Sequence, residues 1–321
     1  MMTLLLENVP AFEDTWIECL GDLACYWMAI EDSDLEVSKI WADVARNWYH
    51  QAANKNPNVG RIHHHLAVLA RPDMLQQLFH YIKSLVSVRP FPSAGESILL
   101  LFDPLLNGLE SYSQPVTAFV AAHGYLFKQH TLSNLKAPVQ EYLSQLKEYI
   151  NQLGAVFKTK EVYMASCNFA AIFQYESIDA VLPSKFEEDF LRQQQGEGEQ
   201  QREQEKSPEL VYYGSYFAFE TFSIILDQIG NEHVYPAMHV YLAFIWCMAL
   251  NDTMGHIDVV VPWGKIATFL NGMIRSDIDF VLSNVTNFPS LKTEQICQRI
   301  FLSMARSGAS IISLPTSSKT P

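Results

Sequence analysis

DVARNWYHQAANKNPNVGRIHHHLAVLARPDMLQQLFHYIKSLVSVRPFP runs from Asp43 to Pro92, and its spacing decides the fold. Ala45, Tyr49, Ala52 and Pro57 follow one another at steps of four, three and five. Small residues on one helix face let a neighbouring helix approach, and a ring between them fills the gap. Pro57 ends this helix, because proline has no N–H to give and clashes with the turn before it. Asn58 and Gly60 supply the turn that follows. A second helix starts near Arg61 and is apolar at Leu66, Leu69 and Ala70. Pro72 and Asp73 punctuate again. The third helix carries Leu75, Leu78, Phe79, Ile82, Leu85 and Val86 at helical spacing, and Pro90 and Pro92 close it. The stretch therefore reads as antiparallel helices joined by short turns, each burying one face only against its neighbours.

The Ala45–Pro57 spacing is that of the second helix of a tetratricopeptide repeat. Working outward, Pro10 precedes a helix from about Ala11 to Ile30, with Phe12, Trp16, Leu20, Leu23 and Trp27 as its apolar stripe. Asp34 caps the next helix. Downstream, helices are expected over Ser93–Leu106, Val116–Phe127, Leu135–Leu153, Val156–Phe173, Leu210–Ile229, Tyr235–Leu250, Trp263–Ile274 and Gln295–Arg306. Little alternates with period two, so a sheet is not expected.

Hydrophobic residues make up 49% of the 321 and charged residues 18%, enough for a sizeable core. The net charge of −13 argues against coating nucleic acid by bulk charge. Five cysteines, Cys19, Cys25, Cys167, Cys247 and Cys297, are widely spread and form no C-x-x-C. That pattern fits a reduced, intracellular protein better than a disulfide scaffold or a zinc site. The N-terminus lacks a basic region and turns acidic at once, unlike a signal peptide. Val234 to Leu250 is the most apolar run; at this length it reads as a buried helix rather than a membrane span.

Arg192 to Pro208, RQQQGEGEQQREQEKSP, has no apolar residue and cannot offset its ordering entropy by burial. It is expected as a mobile loop. The domain reading is then a helical domain over 1–191, the Gln/Glu-rich loop at 192–208, a helical-hairpin domain over 209–306 and a flexible tail at 307–321.

WYHQAANKNPNVGRIHHHLAVLA, LQQLFHYIKSL and PFPSAGESILLLF, in that order, resemble the Est/SMG family of telomerase-associated and nonsense-mediated-decay factors. That family pattern has a Tyr-rich helix, a P-x-x-G turn, an L-A-v-L-A helix and a P-F-x-x-A segment. LGDLACYW, Leu20 to Trp27, is similar to the family's LGDLARYR. WGKIATFLN, Trp263 to Asn271, resembles a segment of its helical-hairpin part. The resemblance is closest from Trp16 to Phe102, with weaker echoes to Asn271, and the layout is similar to that of fungal members. It implies a 14-3-3-like N-terminal domain that holds phosphorylated tails in a basic groove. Here Cys25 stands where the family has a phosphate-reading arginine, Tyr26 keeps the tyrosine, and Trp27 replaces a second arginine. A thiol cannot make the charge-assisted fork that arginine makes with phosphate. Family helices ahead of this motif supply further basic groups; this sequence begins without them, which raises a missing N-terminal segment. The nuclease domain of one family branch needs clustered aspartates on a sheet, and no such element is read.

Between Val37 and Ser93 stand seven basic residues and two acidic ones, a local +5 in an acidic chain. Two readings stay open: a basic strip for an acidic or phosphorylated partner or for nucleic-acid phosphates, or ordinary solvated helix faces. His63, His64 and His65 diverge by about 100° each on a helix, so they cannot all face one metal ion; packing explains them, with His64 as an outward contact. The tryptophans are read as core. Asp252, Asp258, Asp277 and Asp279 straddle loops and a helix, which gives no catalytic geometry. Gly196 and Gly198 lie in the polar loop, so no phosphate cradle is expected there. Ser207 before Pro208 has the pattern that a proline-directed kinase reads.

The expected fold is all-α: a tetratricopeptide/14-3-3-like helical array followed by α-helical hairpins. The expected function is a non-enzymatic adaptor. It would bind a protein partner bearing phosphorylated or acidic segments, with RNA or single-stranded DNA as a further partner. No cofactor, metal, small-molecule substrate or membrane is implied, and nucleus or cytoplasm is the expected place. The groove residues would be Tyr26, Arg46, Tyr49, Arg61, His64, Tyr81, Lys83 and Arg89. The alternative is a protein–protein scaffold without phosphate or nucleic-acid binding.

Overall fold

The computed structural model describes residues 9–31, 34–71, 73–108, 113–129, 132–176, 208–250 and 253–273. All the regular elements among them are helical, apart from one isolated parallel bridge between Val59 and Arg89. The all-α expectation therefore stands as a tetratricopeptide/14-3-3-like helical array. Two compact units divide at Asn107 and Gly108.

In the first unit the helices are α1 (Glu13–Ile30), α2 (Leu35–Lys55), α3 (Gly60–Leu69), α4 (Met74–Leu85), α5 (Ala94–Ser97) and α6 (Leu99–Leu106). Each of α1 to α4 packs on the next. Asp34 begins α2 as expected: its Oδ1 accepts from the backbone N–H of Glu36 and Val37. Such a cap contributes about 1 kcal/mol. Asp73 caps α4 in the same way through Gln76. Ala45, Tyr49 and Ala52 are buried, as their spacing predicts, with Ile17, Ala24, Ile62, Leu66 and Leu69 around them. The Pro57 turn is locked by backbone pairing: Gly60 N–H donates to Arg89 O, and Arg89 N–H donates to Asn58 O. A Cβ at Gly60 would lie 2.3 Å from Ser84 O, so only glycine fits.

The stripe expected on α1 is corrected. The buried face is Ile17, Leu20, Gly21 and Ala24; Phe12, Leu23 and Trp27 are exposed. Small residues here allow α2 to approach so closely that the larger ones are left on the other side. The tryptophans divide: Trp41 and Trp48 are half-buried and pack against the core as expected, Trp16 is half-buried, and Trp27, Trp246 and Trp263 are exposed, against the expectation.

In the second unit the helices are α7 (Pro115–Lys128), α8 (Lys136–Leu153), α9 (Phe157–Ile172), α10 (Pro208–Leu226), α11 (Tyr235–Leu250) and α12 (Trp263–Met273). Aromatic rings fill its core. Phe119 meets Tyr142 at 5.0 Å and Phe217 at 5.5 Å. Phe169 stacks on Phe244 at 4.0 Å, and Phe222 on Tyr241 at 4.3 Å. A Cβ at Gly214 would lie 2.9 Å from Ala171 O, which explains how α10 approaches α9 so closely. Glu232 to Leu250 is long and apolar enough to cross a membrane by length and composition. Its Val240, Tyr241, Phe244, Ile245 and Met248 are nevertheless buried within the unit, as expected of a core helix.

Cys19, Cys25 and Cys167 are free thiols. Asp258 accepts a hydrogen bond from Trp263 Nε1 at 3.0 Å. The loop at 192–207, the helix expected over 295–306, the tail, and Asp252, Asp277 and Asp279 lie outside the described residues.

Candidate functional site

Five of the seven basic residues between Val37 and Ser93 fall into three groups. One lies between α2 and α4. Arg46 pairs with Asp43 and donates from Nη2 to Leu69 O at 3.3 Å. One α-helical turn further on stands His50, held neutral mainly by burial and then by the charges of Arg46 and Lys83. Burial pulls the Lys83 ammonium down to about 7. Its Nζ lies 5.7 Å from the centre of the Phe79 ring.

Behind these groups is a buried histidine pair. His63 Nδ1 and His80 Nδ1 approach to 3.3 Å, with the rings stacked at 5.5 Å. Burial keeps both well below the usual imidazole range, and Lys83 pushes in the same direction. Two neutral rings can share one hydrogen bond through opposite tautomers; two imidazoliums cannot sit there.

The second group faces α1. Arg61 Nη2 lies 2.8 Å from Glu18 Oε1, and Lys55 pairs with Glu13. These cations are engaged within the fold. The third is Arg89, exposed beside the Gly60 turn. Sequence position thus grouped four cations, whereas in the structure Arg46 and Lys83 both act on His50, Arg61 pairs with Glu18, and Arg89 lies beside the Gly60 turn.

The aromatic groove residues are corrected too. Tyr49 is fully buried, donates to Asp22 Oδ1 at 2.7 Å and stacks on His65 at 4.8 Å. Tyr81 is 2% exposed. Neither offers a ring face to a partner; the two support the helices that carry the cations. His64 is not an outward contact: its Nε2 lies 3.0 Å from Ser97 Oγ and its ring packs near Phe91. Tyr26 is exposed on α1. The groups missed in the sequence are His50 and His80. Their signal was there, since His50 follows Arg46 by one helical turn and His80 precedes Lys83 by three residues. Among the described residues no group of three or more His, Cys, Asp or Glu could hold a metal ion.

Successive packed helices define the class: an all-helical array protein. More narrowly, the chain belongs to the Est1 DNA/RNA binding domain family, whose model matches residues 45–296. It is similar to the nonsense-mediated mRNA decay factor SMG7-like of Arabidopsis thaliana, 38% identical over 89 residues, 26% of this chain and 10% of that protein. Similarity extends to SMG7 of the same plant, 36% over 98 residues, 30% of this chain and 9% of the relative. SMG7 of Danio rerio is 27% identical over 116 residues, 34% of this chain and 10% of its own length. The matched stretch thus spans about a tenth of each of these relatives.

Proposed function

We propose that this chain is a non-enzymatic adaptor in messenger surveillance or telomere maintenance, acting inside the cell, and that its first unit holds a phosphorylated or acidic segment of a protein partner. The observation that carries this reading is the convergence of Arg46, His50 and Lys83, where a lysine has been drawn down to about 7. A desolvated lysine gains its proton more readily when an anion arrives, so an incoming phosphoryl group would favour the charged form of Lys83. Family membership and the decay-factor relatives agree with an adaptor role.

The second reading, a scaffold without phosphate binding, is favoured by Cys25 and by the engagement of Arg61 with Glu18. Fluorescence anisotropy with a phosphopeptide, its unphosphorylated twin and a short single-stranded RNA separates the two. Under the proposal the phosphopeptide binds tighter than its twin by about tenfold, and Arg46→Gln with Lys83→Met abolishes the difference. Equal binding of the twins supports the scaffold. RNA bound in preference to both peptides, and lost in the same variant, would move the site to nucleic acid.

A further inference from the structure

Helix α1 is apolar on two sides. Its inner face packs on α2. A second line, Trp16, Cys19, Leu23, Tyr26 and Ile30, recurs at alternating steps of three and four, the a/d spacing of a coiled-coil seam. Tyr26 is 70% exposed, Ile30 68% and Leu23 44%. Trp27 lies beside this line and stacks on Trp41 at 5.8 Å. A stripe of this period suits another helix crossing at a shallow angle.

Charge decides which helix. From Phe12 to Trp41 the chain has eight acidic residues and a single basic one, Lys39; with Glu13 and Glu18 paired to Lys55 and Arg61, six acidic residues remain against that one lysine. Asp14 and Glu36 stand exposed. The last turn of α1 has no basic residue, so the negative carbonyl end of the helix adds to the acidic field. A second copy of this chain on the same seam would set these acids against their own images. We propose that the outer seam of α1 docks an amphipathic helix of a partner protein, with an apolar a/d line and lysine or arginine on its flanks. This site is separate from the Arg46–Lys83 cluster and of opposite charge preference.

The test uses the full chain and a synthetic peptide of about three heptads, with Leu at a and d and Lys or Arg at e and g, beside a twin with Glu at the flanks. Anisotropy and tryptophan emission report binding, the latter through Trp27. The basic peptide is expected to bind about tenfold tighter than the acidic twin, with the margin shrinking as salt rises. Leu23→Ser with Tyr26→Ser, both at exposed positions, is expected to retain the circular dichroism of the parent and to lose about tenfold in affinity, roughly 1.4 kcal/mol. Equal binding of the two peptides, or unchanged binding by the double variant, overturns the proposal. So does sedimentation showing a dimer of the chain that the double variant splits, which would make the seam a self-interface.

Discussion

A Cβ placed on Gly21 would stand 2.7 Å from Cε1 of Tyr49. The ring cannot easily retreat, because its hydroxyl donates to Asp22 Oδ1 at 2.7 Å and its face stacks on His65. Glycine in mid-helix normally costs about 1 kcal/mol against alanine. Here that loss is offset by a closer approach of α1 to α2. Gly21→Ala is therefore expected to lower stability by roughly 1–3 kcal/mol despite its better helix propensity. Urea unfolding of the variant checks the sign. A gain would show that the Tyr49 ring yields.

The same contact shows how much was legible in advance. Ala45, Tyr49, Ala52 and Pro57 disclosed the packing face of α2, since small–ring–small spacing has one physical use between helices. Asp34 disclosed a helix start, because a cap is a local device. The inner face of α1 was not legible, because two apolar lines run along that helix and periodicity alone does not say which one is buried. Charge was least legible of all. Lys55 and Arg61 look like members of a strip until Glu13 and Glu18 of α1 are seen opposite them. Those pairs are 42 and 43 positions apart in the chain, and spacing rules reach only a few turns.

Arg61 and Glu18 make the next prediction. Burial raises the Glu18 carboxyl and Arg61 opposes the rise. Arg61→Gln removes the opposing charge and leaves a poorly solvated carboxylate. Stability is expected to fall by about 1 kcal/mol, since Arg61 itself is half exposed. Adding Glu18→Gln should recover most of that loss. A double-mutant cycle in urea measures the coupling, and a coupling near zero would make the pair ornamental.

Glu161 is 1% exposed, and neither carboxylate oxygen has a hydrogen-bond partner among the described residues. Burial pushes its carboxyl well above the ordinary 4.5. The folded chain then keeps a proton that the unfolded chain releases above that value, so stability falls as pH rises from about 4.5 toward the folded value. Glu161→Gln is expected to stabilise the protein by about 1 kcal/mol or more at neutral pH, and to make little difference near pH 4.5. Unfolding curves of both proteins at the two pH values decide it. An equal effect at both would mean that the carboxyl is ionised in the core.

Lys83, His63 and His80 make the cationic cluster pH-dependent in two windows. Lys83 titrates at about 7 in the folded chain and near 10.5 when unfolded. Between those values the unfolded chain binds more protons, so this residue makes stability rise with pH across that window. Below about 7 Lys83 is charged in both states and contributes no further slope. His63 and His80 act lower down. Their folded values lie well under 6.5, so stability is lost as pH falls below 6.5 and the unfolded imidazoles take up protons first. Lys83→Met should flatten the upper slope, and His63→Leu with His80→Leu the lower one, each read as urea midpoints against pH. Binding has the opposite sign above neutrality. A phosphoryl group at the cluster favours the charged lysine, so phosphopeptide affinity should rise as pH is lowered from about 8 to about 7, with proton uptake seen by calorimetry in two buffers. An affinity that does not change over that range, with unchanged proton count, would place the phosphate away from Lys83.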